Sequence, residues 1–247
     1  MARIICLVSN KGGVTKTTLS IGTGQALVHD GYSVLIIDFD NNNNLSVISL
    51  YGHPKEELVR TRNLATALSG ADTLEDVIWT SPAFGFDVIP TYGKINDLNY
   101  RLLTDPSIEV RLRLELQALK KKYDFIILDC NPLLNETTKF ALKISDLGIA
   151  PLEEDTDNLG GVLDVINFRN DFKIKTPVKA LRSNISRSKE DYLKKAANHN
   201  GIDTLNSVIY TNSSIKTAKN IRQPIPPKNE AFNFFLSLTK ELINETK

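Results

Sequence analysis

Cysteine, histidine and long apolar runs are all scarce in this 247-residue chain. No segment approaches the roughly 18 consecutive apolar residues that a membrane helix needs. The N-terminus carries a single Arg3 and a five-residue apolar run, too short for a signal peptide. The two cysteines, Cys6 and Cys130, each adjoin apolar strand-like residues, and their spacing suits no metal site. Both are expected as buried small hydrophobes in a reducing cytosol. His29, His53 and His199 are scattered and suggest no catalysis. An excess of one charge is missing too: 30 Lys and Arg against 29 Asp and Glu leave +1. Overall charge therefore predicts neither nucleic acid nor a lipid surface, and any such surface must be a local patch. The expectation is a soluble, intracellular protein.

What is present is a regular alternation. Apolar runs bounded by turn signals predict strands at residues 3–8, 33–38, 86–90, 125–129, 147–150, 178–183 and 206–210. Stretches of helical periodicity separate most of them, at 17–30, 63–68, 109–122, 135–143, 159–170 and 189–199, with a last helix at 230–244. Val34-Leu35-Ile36-Ile37 and Phe125-Ile126-Ile127-Leu128 are apolar on both faces, as central strands of a covered parallel sheet must be. The pattern predicts an α/β fold, a doubly wound and mostly parallel sheet with helices on both faces, in which ligands sit beyond the carboxyl ends of the strands. With 41% hydrophobic residues and no repeat or linker, residues 1–247 are expected as one domain. Tyr51, Trp79 and Tyr92 are expected to fill core or loop gaps.

The first apolar run, Ile4 to Val8, leads into residues 9–18, Ser-Asn-Lys-Gly-Gly-Val-Thr-Lys-Thr-Thr, and a helical pattern leaves them. Strand, glycine-bearing loop and helix make a phosphate-binding loop, because phosphate oxygens need converging N–H donors, a cation and a helix N-terminus. Gly12 and Gly13 let backbone approach closely, Lys16 supplies charge for β- and γ-phosphates, and the Thr17 hydroxyl can ligate Mg²⁺. The simple pattern nevertheless fails. Asn10 and Thr15 stand at its two glycine positions, and an extra lysine, Lys11, precedes Gly12. The plain alternative is a Gly-Gly turn with incidental lysines.

Two further strand ends carry carboxylates. Asp38 and Asp40, at i and i+2, share a face, which suits metal-linked water or nucleophile positioning; a turn followed by an Asn-rich loop is the other reading. Asp129 closes an all-apolar strand in the manner of a Walker B carboxylate holding Mg²⁺ through water, or caps the next loop.

Lys-Gly-Gly-Val-Thr-Lys-Thr-Thr resembles the deviant Walker A box of the ParA/MinD ATPases, usually Lys-Gly-Gly-Val-Gly-Lys-Thr-Thr. Asp38-Phe39-Asp40 resembles that family's Asp-x-Asp-Pro-Gln box, and Asp124 to Pro132 its Tyr-Asp-x-Ile-Ile-Ile-Asp-x-Pro-Pro. The likeness continues through Phe86 to Pro90, Ala150-Pro151-Leu152-Glu153, and Val208 to Asn212, so it spans the chain. The resemblance implies a slow, partner-stimulated ATPase with ATP and Mg²⁺ as cofactors. Lys11, Gly12, Gly13, Val14, Thr15, Lys16, Thr17 and Thr18 then hold the nucleotide. Lys11, Lys16 and Asp40 are the catalytic set, with Lys11 reaching the partner's phosphates in an ATP-bound homodimer and Asp40 acting on the attacking water. Thr17, Asp38 and Asp129 support Mg²⁺. Two departures stand out. A β-branched Thr15 in a φ > 0 conformation costs on the order of 1–3 kcal/mol, so either that position is not left-handed or the loop is strained. Asn41-Asn42 replace Pro-Gln, and four asparagines in a row predict an irregular connection.

The resemblance also implies non-specific DNA binding on the nucleoid by a basic face. Candidates are Arg182, Arg187, Lys216, Lys219 and Arg222, with Lys189, Lys194, Lys195 and Lys228 nearby; a merely solvated face is the alternative. A small adaptor, ParB-like for a plasmid or chromosome or McdB-like for a carboxysome, would stimulate hydrolysis. No helix-turn-helix precedes the loop, which argues against operator-specific repression. Rival readings are a MinD-like membrane-cycling division regulator and a metabolic enzyme of the dethiobiotin-synthetase or nitrogenase iron-protein kind. The last needs bridging cysteines, and Cys130 alone is insufficient. The C-terminal apolar set, Phe232, Phe234, Phe235, Leu236, Leu238, Leu242 and Ile243, lacks a Lys/Arg cluster for anionic lipid. It is expected to pack on the body, without stable membrane association.

Overall fold

The computed structural model describes residues 1–13, 15–92, 96–154 and 157–246. Eight strands form one sheet: β1 (Arg3–Leu7), β2 (Val34–Phe39), β3 (Trp79–Thr80), β4 (Asp87–Ile89), β5 (Phe125–Cys130), β6 (Leu147–Leu152), β7 (Val178–Ile185) and β8 (Thr204–Tyr210). Their spatial order is β3-β4-β2-β5-β1-β6-β7-β8, and among the described residues only the β3–β4 pair is antiparallel. The chain passes from β1 over β5 to β2, and later from β5 over β1 to β6. The winding thus reverses beside β1, the position at which open α/β sheets bind ligands.

Period-two alternation splits the core. Ile4, Cys6, Ile126 and Leu128 point into one layer, while Ile5, Phe125 and Ile127 point into the other. The second layer receives α1 (Lys16–His29) and α2 (Asn44–Ser49), then α10 (Ser213–Ile221) and α11 (Glu230–Glu245). The first receives α4 (Leu64–Ser69), α6 (Pro106–Leu119), α7 (Glu136–Ile144), α8 (Asp157–Asp171) and α9 (Glu190–His199). The remaining helices are α3 (Glu56–Thr61) and α5 (Asn96–Thr104). The doubly wound α/β architecture is the one predicted.

All seven expected strands form. β6 runs to Leu152 through Pro151 because β1 pairs only as far as Ile149, so the missing N–H breaks no ladder with that neighbour. The short strand β3 and helices α2, α3, α5 and α10 were not legible. Trp79 lies on β3 with its indole N–H donating to Arg62 O at 2.9 Å, so it pairs an edge as well as filling a gap. Tyr51 is exposed, not a core filler. The C-terminal apolar set packs inward as expected: Phe232, Phe235, Leu238 and Leu242 are buried. Gly22 permits the close seating of α11 on α1, since a Cβ there would stand 2.3 Å from the Phe235 ring. Among the described residues no helix is long and apolar enough to cross a membrane.

Candidate nucleotide site

After β1 the chain turns sharply, which Gly13 allows by taking φ +80°, in open space. Thr15 lies at φ −64° and ψ 13°, a negative φ, so the β-branched residue is not left-handed and the first of the two options holds. Its N–H donates to Glu153 Oε1 at 3.0 Å, and its hydroxyl is 2.9 Å from that of Ser183. Val14 lies outside the described residues. Gly12 and Gly13 are exposed, Lys11 is half-buried, and Thr17 and Thr18 are half-buried on the first turn of α1. The Lys11 side chain passes Gly161 of α8, where a Cβ would stand 3.7 Å from its Cγ. Lys16 is 4% exposed, and its ammonium donates to Ser9 Oγ (2.9 Å) and Lys11 O (3.4 Å). Burial draws its pKa down, opposed by the charges of Asp129 and Asp40.

Parallel register sets Asp38 of β2 beside Asp129 of β5, side chains on the α1 face. Asp129 accepts from Thr17 Oγ1 (2.8 Å) and Ser20 Oγ (3.0 Å). Asp38 accepts from the Asp40 N–H (3.0 Å), the Ser46 N–H (3.0 Å) and the Ser46 hydroxyl (2.6 Å). Asp40 Oδ1 accepts from the backbone and side chain of Asn42, and Asn43 N donates to Asp40 O. The asparagine run is therefore one tight turn into α2, with Asn43 left-handed at φ 55°, and not an irregular connection. Ser20, Ser46, Glu153 and Ser183 were missed. Ser20 alone had a signal, being three residues after Thr17 on one helix face.

Burial lifts the Asp38 carboxyl to about 8, with the charge of Asp129 pushing the same way. It lifts Asp129 to about 6, against the hydroxyl of Thr17 and the charge of Lys16. The folded protein thus holds protons that the unfolded chain releases near 4, and stability falls as pH rises from about 4 through about 8. Thermal unfolding without nucleotide is expected several degrees lower at pH 8.5 than at pH 6, with Asp38→Asn flattening the dependence. A melting temperature that climbs over that range would contradict the buried pair.

A cavity of about 450 Å³ opens beside the loop, lined by Thr15, Thr18, Asn184, Tyr210, Asn212 and Lys216 among others. Lys219 lines it too, so two expected DNA contacts stand at this rim. Arg222 caps α10 at φ 55° with its guanidinium 4.6 Å from the Tyr51 ring centroid. Arg187 is exposed and ion-paired with Glu230 at 2.5 Å. Lys189, Lys194, Lys195 and Lys228 are exposed. Arg182 corrects the expectation. It is 1% exposed within the sheet, donating to Leu205 O and Asn206 O, and cannot meet DNA phosphates.

A family model described as an AAA domain (AAA_31) matches residues 2–183. The sporulation initiation inhibitor protein Soj of Bacillus subtilis (strain 168) is 34% identical over 68% of this chain and 64% of its own length. The aligned chain therefore spans less than two thirds of the first curated relatives. The chromosome partitioning protein ParA of Caulobacter vibrioides is 26% identical over 99% of this chain and 95% of its own. The McdA–ATP complex of Cyanothece superposes with a TM-score of 0.83 at 16% identity, covering 98% of this chain and 96% of that one. The chain belongs to this AAA-domain family and, within it, to the ParA/MinD family. The residues fit the ATP and Mg²⁺ that such a fold implies: a buried ammonium and a helix N-terminus stand beside a carboxylate that already gathers two hydroxyls of that helix. Cys6 and Cys130 are both free and fully buried, as expected of small hydrophobes.

Proposed function

We propose that this chain is a ParA-type positioning ATPase that dimerises on ATP, binds DNA without sequence preference and carries a cargo over the nucleoid. The observation behind this reading is that the loop holds two lysines in different settings. Lys16 is buried beneath the loop, where the β- and γ-phosphates of a bound nucleotide would lie, while Lys11 stands half-buried at its edge against α8. A phosphate site needs one cation from its own chain; a second at the rim suits delivery to a partner's nucleotide, so that ATP links two copies.

Thr17 and Asp129 would hold Mg²⁺, which supplies charge neutralisation at the phosphates. Asp38, whose carboxyl is committed to Asp40 and Ser46, serves by anchoring the turn that carries Asp40. Asp40, 7% exposed, orients the attacking water. Lys216, Lys219, Arg222 and the exposed lysines of α9 supply the DNA-facing charge. An adaptor, ParB-like for a plasmid or chromosome or McdB-like for a carboxysome, triggers hydrolysis and releases the dimer.

ATP-dependent DNA retention tests the reading. Binding should appear with ATP and Mg²⁺, vanish with ADP and fall steeply with salt; equal retention without nucleotide would end it. Asp40→Ala should slow turnover by about 10² and hold the ATP dimer on DNA, as loss of a water-positioning group does. Unchanged turnover would remove Asp40 from the mechanism.

A further inference from the structure

The end of β6 reaches back to the phosphate loop. Glu153 follows Leu152, and its Oε1 accepts from the Thr15 N–H at 3.0 Å. That N–H heads α1 and is one of the donors that a loop of this kind turns toward phosphate. Lys16, the loop's buried cation, spends its ammonium on Ser9 Oγ and Lys11 O, with the charge of Glu153 among those acting on it. Thr15 is further fastened by its hydroxyl to Ser183, which is fully buried. The next residue, Glu154, accepts from the Ser186 N–H, so the end of β6 grips both the loop and the end of β7.

We propose that the Glu153 carboxylate is a placeholder for a nucleotide phosphate, closing the loop until ATP displaces it. A carboxylate and a phosphate oxygen cannot share one N–H, and two anions in contact repel. Nucleotide entry is therefore an exchange of one anion for another, and Glu153 lowers affinity for every nucleotide that fills the loop. Glu153 is half-buried and follows the end of its strand, so its side chain has room to swing away. The Thr15–Ser183 bond involves side chains only and survives the exchange, keeping the loop seated on β7. The inference rests on reading this loop as the nucleotide site.

Calorimetric titration of ADP and ATP into the parent, Glu153→Gln and Glu153→Ala tests it. Both variants discard the charge, and Gln keeps the shape and an acceptor. Both should bind nucleotide about tenfold more tightly than the parent. Melting without nucleotide should come earlier in the variants, while saturating ADP should bring parent and variants together, because only the empty loop uses the carboxylate. Unchanged or weaker binding in both variants overturns the proposal. A parent that binds neither nucleotide would instead overturn the nucleotide reading on which it stands.

Discussion

Lys11→Ala is expected to bind ATP with little loss and yet fail to dimerise on it. Within one chain the phosphates would be addressed by Lys16, Thr17 and the start of α1, with the Lys11 carbonyl accepting from the Lys16 ammonium. Across a two-fold interface each copy would present its lysine to the other's nucleotide, so one substitution removes two contacts. Truncating one partner of a desolvated charge pair costs about 2–5 kcal/mol, hence at least about 4 kcal/mol for the pair of sites, or roughly a 10³-fold weaker dimer. Sedimentation with ATP and Mg²⁺ reads this directly. A Lys11→Ala chain that dimerises like the parent would sink the ATP-linked dimer with Lys11 supplied in trans, and DNA retention should be lost in step with the dimer.

The largest stability effect is expected at Arg182. Its Nη2 donates to Leu205 O (2.8 Å) and Asn206 O (3.1 Å), while Nη1 lies 3.6 Å from Glu190 Oε1, an ion pair too long for a hydrogen bond. Nε and Nη1 have no hydrogen-bond partner. A guanidinium this buried is held by packing and two carbonyls at the edge of β8. Arg182→Ala leaves a cavity and frees both carbonyls, for about 3–5 kcal/mol, or a melting temperature lower by roughly 10 °C. Arg182→Met refills the volume and discards the orphaned N–H groups, so it should recover most of that loss. DNA retention by the folded Met variant should match the parent, because the guanidinium never reaches the surface. Equal urea midpoints for Ala and parent would show that the buried guanidinium contributes nothing.

Much of this protein was legible in order along the chain. The apolar runs at residues 34–37 and 125–128 announced buried parallel strands, and those strands carry Asp38 and Asp129 to adjacent positions. Helices longer than about nine residues with clear periodicity were found. The six-residue α2 and α3 were not; fewer than two turns give little repeat to read, although the equally short α4 was expected. Arg182 was misplaced for a related reason. A charged residue in a strand looks the same in sequence whether its side chain faces water or the helix layer, and only the packing of α9 over β7 decides.

By itself the chain marked the candidate phosphate loop, its second lysine and the three strand-end carboxylates, because each is a matter of consecutive residues at the end of one element. The tertiary structure decided what those groups touch. Thr15 is tolerable because its φ is negative, and it is pinned by Glu153 and Ser183, 138 and 168 residues away. Ser20 holds Asp129 from 109 residues away. Partners so distant meet only when the sheet has wound in both directions from β1, and no local pattern records that meeting.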